Sequence, residues 1–122
     1  MKIVIQPQGG IAIYEQIVNQ MRHNILTGET SPGELLPSIR GLAAELKVSV
    51  ITTKRAYEEL EKEGLIRSVA GKGFYVCEYN TDYLREKQLI LLEAHLQEVI
   101  EEAKQAGIDC EALADMMKEL YN

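Results

Sequence analysis

The chain has 122 residues, 46% of them hydrophobic, and a formal net charge of -6. That length fits one domain, or a small domain with an appendage. It contains no apolar run of the ~20 residues a membrane span requires, and its start, MKIVIQPQGG, lacks the long apolar region of a secretory signal. Its two cysteines, Cys77 and Cys110, lie far apart with no CxxC, and His23 and His95 stand alone. This pattern points to free thiols in a reducing cytoplasm, with no membrane association, no metal site and no cofactor.

Charge is unevenly spread. Residues 1–80 hold nine Lys/Arg and nine Asp/Glu, whereas residues 81–122 hold four and ten, so the tail carries the whole acidic excess. An acidic chain can therefore still bind nucleic acid through cations clustered in its neutral part.

In chain order, residues 2–6 alternate apolar positions and read as a short strand or extended arm, ended by Pro7 and Gly9-Gly10. From Ile13 a helical period begins, with Ile13, Ile17, Met21 and Ile25 four residues apart, and Gly28 ends it. Pro32-Gly33 makes a turn. Ser38 reads as the N-cap of a second helix, whose Ile39, Leu42, Ala43 and Leu46 face inward. Lys47-Val48 is a break, and Ser49 caps a third helix with Thr53, Ala56, Tyr57 and Leu60 on its inward stripe. The third helix stops at Gly64. Two strand-like stretches, Leu65 to Val69 and Phe74 to Tyr79, flank Ala70-Gly71-Lys72-Gly73, a hairpin turn. The expected fold is mainly α with a small β-hairpin: a winged helix-turn-helix over residues 1–80, then a short α-helical tail over residues 81–122.

In the tail, Leu89, Leu92, Leu96, Val99, Ala103 and Ala106 alternate spacings of three and four, the seam of a coiled coil. Asp109 caps a last short helix with Leu113, Met116, Met117 and Leu120 on one face. A helix with such a seam is not stable alone. The seam must meet its own winged domain or the same helices of a second chain.

The third helix orders its charges against its own dipole. Lys54 and Arg55 lie in its first half and Glu58, Glu59, Glu61 and Glu63 in its second, whereas a helix dipole favours acids first. One account of the inversion is a solvated charged helix with no ligand; the other is DNA recognition, because a recognition helix enters the major groove with its N-terminal part, where cations face two phosphate ridges. On this reading the glutamates project away from the duplex and are merely soluble. The inward stripe leaves Val50, Ile51, Lys54, Arg55 and Glu58 outward. Lys54 or Arg55 can reach a guanine edge or phosphate, Thr52 a base edge or phosphate, and Val50 and Ile51 thymine methyls. Lys72, in the wing, can take a phosphate.

The linked segments YEQI, LTGE with PGE, LPSIR, LAAELKVS, KRAYEELEKEGLI and GKGFYV, in this order across residues 13 to 76, resemble the DNA-binding domain of the GntR family of bacterial transcription regulators. The short helical tail is similar to the YtrA-type subfamily. The resemblance implies a homodimeric DNA-binding regulator, most simply a repressor, that reads a palindromic double-stranded operator. It implies dimerisation through the tail seam Leu89, Leu92, Leu96, Val99 and Ala103, and points to an ABC transporter operon as the target. It places Arg40 at the DNA-contacting arginine of the LPSxR motif and Lys54 at a second contact position. Ser49 and Thr52 fall at positions that approach backbone or bases, and Gly71 at a wing glycine near the minor groove. Two departures matter. Val50 stands where many members carry arginine, and Lys54 replaces an arginine and so lacks its bidentate fork. The tail leaves no room in this chain for the long effector domain of larger relatives, and nothing names a release signal.

Two other classes compete with this reading. A winged helix that docks a protein would favour acidic or apolar residues where Lys54, Arg55 and Lys72 stand. No nucleophile–base pair, catalytic carboxylate pair or phosphate loop supports an enzyme, and Gly71-Lys72-Gly73 is too short for a P-loop.

Overall fold

The computed structural model describes residues 2–78 and 81–122. Met1, Tyr79 and Asn80 lie outside the described residues, and with them the end of the strand expected over residues 74–79 and the boundary expected at residue 80. Packing divides the chain into two compact units, Met1–Leu84 and Arg85–Asn122. The elements are α1 (Ile13–Leu26), α2 (Ile39–Leu46), α3 (Val50–Lys62), β1 (Ile66–Val69), β2 (Gly73–Val76), α4 (Thr81–Gln105) and α5 (Cys110–Tyr121). The molecule is mainly helical with one small hairpin, a winged helix-turn-helix followed by a helical tail.

In the first unit α3 is central and packs on α1, α2 and β1. The four-residue period of α1 buries Ile17, Met21 and Ile25, with Val18 alongside. The inward stripe of α3 is Thr53, Ala56, Tyr57 and Leu60, as its spacing predicts. Ile66 and Val76, opposite each other in the hairpin, close the core, and Leu84 of α4 joins it. Tyr57 ties three elements together. Its ring meets Phe74 of β2 edge-on at 5.0 Å, and its hydroxyl donates to the Pro37 carbonyl at 2.7 Å, just ahead of α2. Burial raises its phenol pKa above the usual 10.0, and the nearby Glu45 charge adds to the effect.

Both inner helices are capped as expected. Ser38 accepts from Gly41 N–H and Ser49 from Thr52 N–H. A Cβ at position 41 would sit 2.8 Å from Ser38 Oγ, so Gly41 lets that cap close. Between α2 and α3 the chain turns at Lys47, with φ 58, the one left-handed non-glycine among the described residues. Val48 N–H returns to Ala43 O at 3.0 Å, a Schellman-type closure.

One segment differs from the expectation, and another takes one of the two forms expected of it. Segment 33–36, read from sequence as a turn and lead-in, forms an edge on the hairpin. Leu35 bridges Tyr75, Leu36 N–H donates to Phe74 O and Val76 N–H to Glu34 O, both at 2.9 Å. The N-terminal residues form no strand; they run as an extended arm held by two glutamines on α1. Val4 exchanges hydrogen bonds with the Gln20 side chain (2.8 and 2.7 Å), and Gln6 does the same with Gln16 (2.8 and 2.9 Å). One helical turn advances about 6 Å over four residues, close to the two-residue repeat of an extended chain. The two side-chain amides thus imitate a strand edge.

In the second unit, Gly107 (φ 73) turns the chain and Asp109 caps α5 by accepting from Ala112 N–H at 2.9 Å. The C-terminal part of α4 and α5 border an open apolar groove of about 710 Å³, lined by Leu96, Val99, Leu113, Met116, Met117 and Leu120 among others. Ala103 is buried beside the turn, but α5 buries no residue. Among the described residues, no helix is long and apolar enough to cross a membrane.

Candidate nucleic-acid interface

The first turn of α3 carries the sequence-predicted reading face. Ser49 Oγ accepts from Thr52 N–H at 3.0 Å and donates to Thr52 Oγ1 at 2.8 Å, which fixes both side chains at the helix start. The Thr52 hydroxyl keeps its own proton to donate outward. Val50 is 40% exposed and Ile51 81% exposed. Lys54 is exposed and reaches Glu58 only at 4.0 Å, a surface pair that a phosphate can displace. Arg40 is exposed on the first turn of α2 and makes no ion pair among the described residues. Gly71 and Lys72 are exposed at the hairpin tip, where Gly71 takes φ 76 and Lys72 N–H donates to Val69 O at 3.0 Å. Open space surrounds Gly71, so its backbone conformation, not crowding, calls for glycine there.

Arg55 does not project freely. Its guanidinium lies over the Tyr14 ring, 3.8 Å from the centroid. Reading the α3 pattern alone misses this, since the partner belongs to another helix and no spacing within α3 points to it.

The acidic half of α3 also differs from expectation. Its glutamates are more than soluble surface. Glu63 receives both Nε and Nη2 of Arg22 on α1 at 2.8 and 2.7 Å, with both partners partly buried. This hydrogen-bonded pairing raises the Arg22 pKa against the opposing effect of desolvation. Glu61 accepts from the N–H and hydroxyl of Ser68 on β1, both at 3.0 Å. The acidic end of α3 thus fastens the helix to α1 and the wing, while Lys54 near its start stays exposed.

Cys77 is buried, and desolvation pushes its thiol pKa up, which makes it a poor nucleophile. Among the described residues, no three His, Cys, Asp or Glu side chains are grouped to hold a metal ion.

The model of the bacterial regulatory proteins of the gntR family matches residues 13–76, which is α1 through β2. The chain belongs to the GntR family. It is 37% identical, over 97% of its length and 91% of the relative's, to the HTH-type transcriptional repressor YtrA of Bacillus subtilis strain 168. Among solved structures, a transcriptional antiterminator from Listeria monocytogenes EGD-e is similar across 100% of this chain and 91% of its own, with a TM-score of 0.78 and 28% identity. The AraR DNA-binding domain, solved in complex with operator ORR3, is similar over 62% of this chain and 95% of its own, with a TM-score of 0.51 and 26% identity. GntR members are transcription regulators and not enzymes, and this chain is a YtrA-like DNA-binding regulator of that family.

Proposed function

We propose that the regulator is a homodimeric repressor that reads a palindromic operator, one half-site per winged unit, and that the operon it controls encodes an ABC transporter. The carrying observation is the first turn of α3. There an isoleucine 81% exposed stands beside two cations, an arrangement that costs solubility on a free surface but suits a major groove offering thymine methyls between phosphates. In this reading Arg40, Lys54 and Lys72 hold phosphates, Ser49 and Thr52 meet backbone or base edges, and Arg55 reaches a guanine. The Gly71 backbone approaches the minor groove, and Val50 and Ile51 pack on methyls. The tail brings two such units together through Leu89, Leu92, Leu96, Val99 and Ala103. Similarity to the transcriptional repressor YtrA supports the repressor part of the proposal, and the transporter part rests on the YtrA-type resemblance of the tail; an inverted repeat before a transporter operon is their simplest check.

The test is a band-shift titration on the intergenic DNA preceding the gene. Several phosphate contacts per dimer give a log–log salt slope of about -4 to -7. Ile51→Ala, or uracil in place of the operator thymines, lowers discrimination by about 1 kcal/mol. Binding that is flat in salt and indifferent to both changes would leave the protein-docking reading in its place.

A further inference from the structure

Tyr14 stands out among the residues not yet given a role. It sits in the first turn of α1, and its partly buried ring packs against the core of the winged unit. It is therefore a fixed platform and not a loose surface aromatic. The Arg55 guanidinium lies 3.8 Å above that ring. Stacking uses the flat π face of a guanidinium and leaves its five N–H donors, which point outward in its plane, unused. Those donors make no hydrogen bond or ion pair with any described residue. Arg22, on the same helix as Tyr14, has its Nε and Nη2 donors taken by Glu63. One arginine at the α1–α3 contact is thus tied down by its donors, and the other lies over a ring with no donor engaged among the described residues.

We infer that Tyr14 is a positioning residue for DNA recognition: its ring orders the Arg55 side chain before the duplex arrives and presents the guanidinium edge to one base pair. The inference rests on the proposed reading face of α3. A free arginine loses side-chain freedom when it forms a bidentate contact, and an arginine already stacked loses less. The gain is realised only through Arg55, so Tyr14 and Arg55 are energetically coupled on DNA.

A double-mutant cycle tests this with the full-length chain and a duplex that the protein itself selects from a random pool. Stacking of this kind corresponds to a factor of about 2–5 in affinity. Tyr14→Leu should weaken the selected duplex by about that factor, and scrambled DNA less. Arg55→Ala should weaken it more and relax preference at one position. In the Arg55→Ala background Tyr14→Leu should do nothing further, and Tyr14→Phe, which keeps the ring, should match the native protein. NMR of the free protein gives an independent readout: the Arg55 δ-protons should show an upfield ring-current shift that Tyr14→Phe preserves. Should Tyr14→Leu fold poorly, Tyr14→Phe with the ring-current shift still decides. Equal losses from Tyr14→Leu in both backgrounds, a loss from Tyr14→Phe equal to that of Tyr14→Leu, or no ring-current shift each overturn the inference while leaving the α3 reading intact. Failure of the native chain to select any duplex overturns that reading itself.

Discussion

The two units of this chain resolve the same problem to different degrees. The winged unit buries its large apolar side chains in one chain: Ile17, Met21, Tyr57 and Leu60 are wholly enclosed. Among the described residues of the tail unit, Ala103 alone is buried, while Leu89, Leu92, Leu96 and Val99 stay 46–60% exposed and Met116, Met117, Leu120 and Tyr121 of α5 are exposed. A small unit with uncovered seams gains little from folding alone. The difference assigns the two regions their kinds of dependence. The winged unit depends on its own packing, and the tail, in our proposal, on a second copy.

The largest expected effect breaks the tail and leaves the winged unit whole. Leu92→Glu with Leu96→Glu places charge in the seam and should convert a dimer to a monomer in sedimentation. Two half-sites joined by one rigid seam bind with a high effective concentration, so operator affinity should fall by about 10²–10⁴. A chain ended after Arg85 should behave alike; the cut is placed there because Leu84 belongs to the winged core. A dimer that survives the double substitution defeats the assignment of the seam.

Next in size is the converse break. Leu60→Ala removes a fully buried side chain from the centre of the winged unit and should cost about 2–5 kcal/mol. Thermal unfolding of the truncated chain should lose this amount at every protein concentration, because that core needs no partner. In the full native chain the unfolding midpoint should shift with protein concentration, and the tail substitutions should abolish that shift. If Leu60→Ala also proves concentration-dependent, the two regions are not separable as described.

The contrast also explains what could be read from the amino acids alone. Helical periods and caps declared the winged fold, since Ile13, Ile17, Met21 and Ile25 or Ser38 and Ser49 act within their own segment. The same logic found the outward residues of α3. It missed whatever is decided across segments. The edge formed by residues 33–36 has no alternation of its own and lies between Pro32 and Pro37. The arm is held by side-chain amides of Gln16 and Gln20, which look like ordinary surface glutamines. The stack of Tyr14 on Arg55 and the Arg22–Glu63 pair join helices distant in sequence. In the tail, Ile90 and Leu91 are exposed outside the seam that the heptad pattern picks out, and nothing in the pattern reveals their role.

A smaller effect probes the tie between α3 and α2. Tyr57→Phe keeps the ring against Phe74 but deletes the hydrogen bond to Pro37 O, at a cost of about 1 kcal/mol near neutral pH. The folded state raises the phenol pKa, so it holds a proton that the unfolded chain releases above its ordinary 10.0. Stability from this group is therefore complete below pH 10 and declines as pH rises beyond it. Native protein should lose stability more steeply than Tyr57→Phe on the alkaline side, in denaturant titrations between neutral pH and pH 11. Parallel pH profiles would show that Tyr57 ionises as freely in the folded unit as outside it.

The smallest effect concerns the corner between α2 and α3, which belongs to the winged unit alone. Lys47 holds φ 58, ψ 45, a left-handed conformation that costs an L side chain about 1–2 kcal/mol. Glycine removes that strain but adds freedom to the unfolded chain, worth about 0.5–1 kcal/mol. The difference leaves Lys47→Gly more stable by about 0.5 kcal/mol, a rise of about 2–4 °C in Tm for a domain of this size. The chain ended after Arg85 should gain the same increment as the intact protein, since the corner lies within the winged unit. A loss of stability instead would mean that the Lys47 side chain is held by contacts stronger than the strain it carries, and operator binding measured alongside would show whether its charge also serves the DNA.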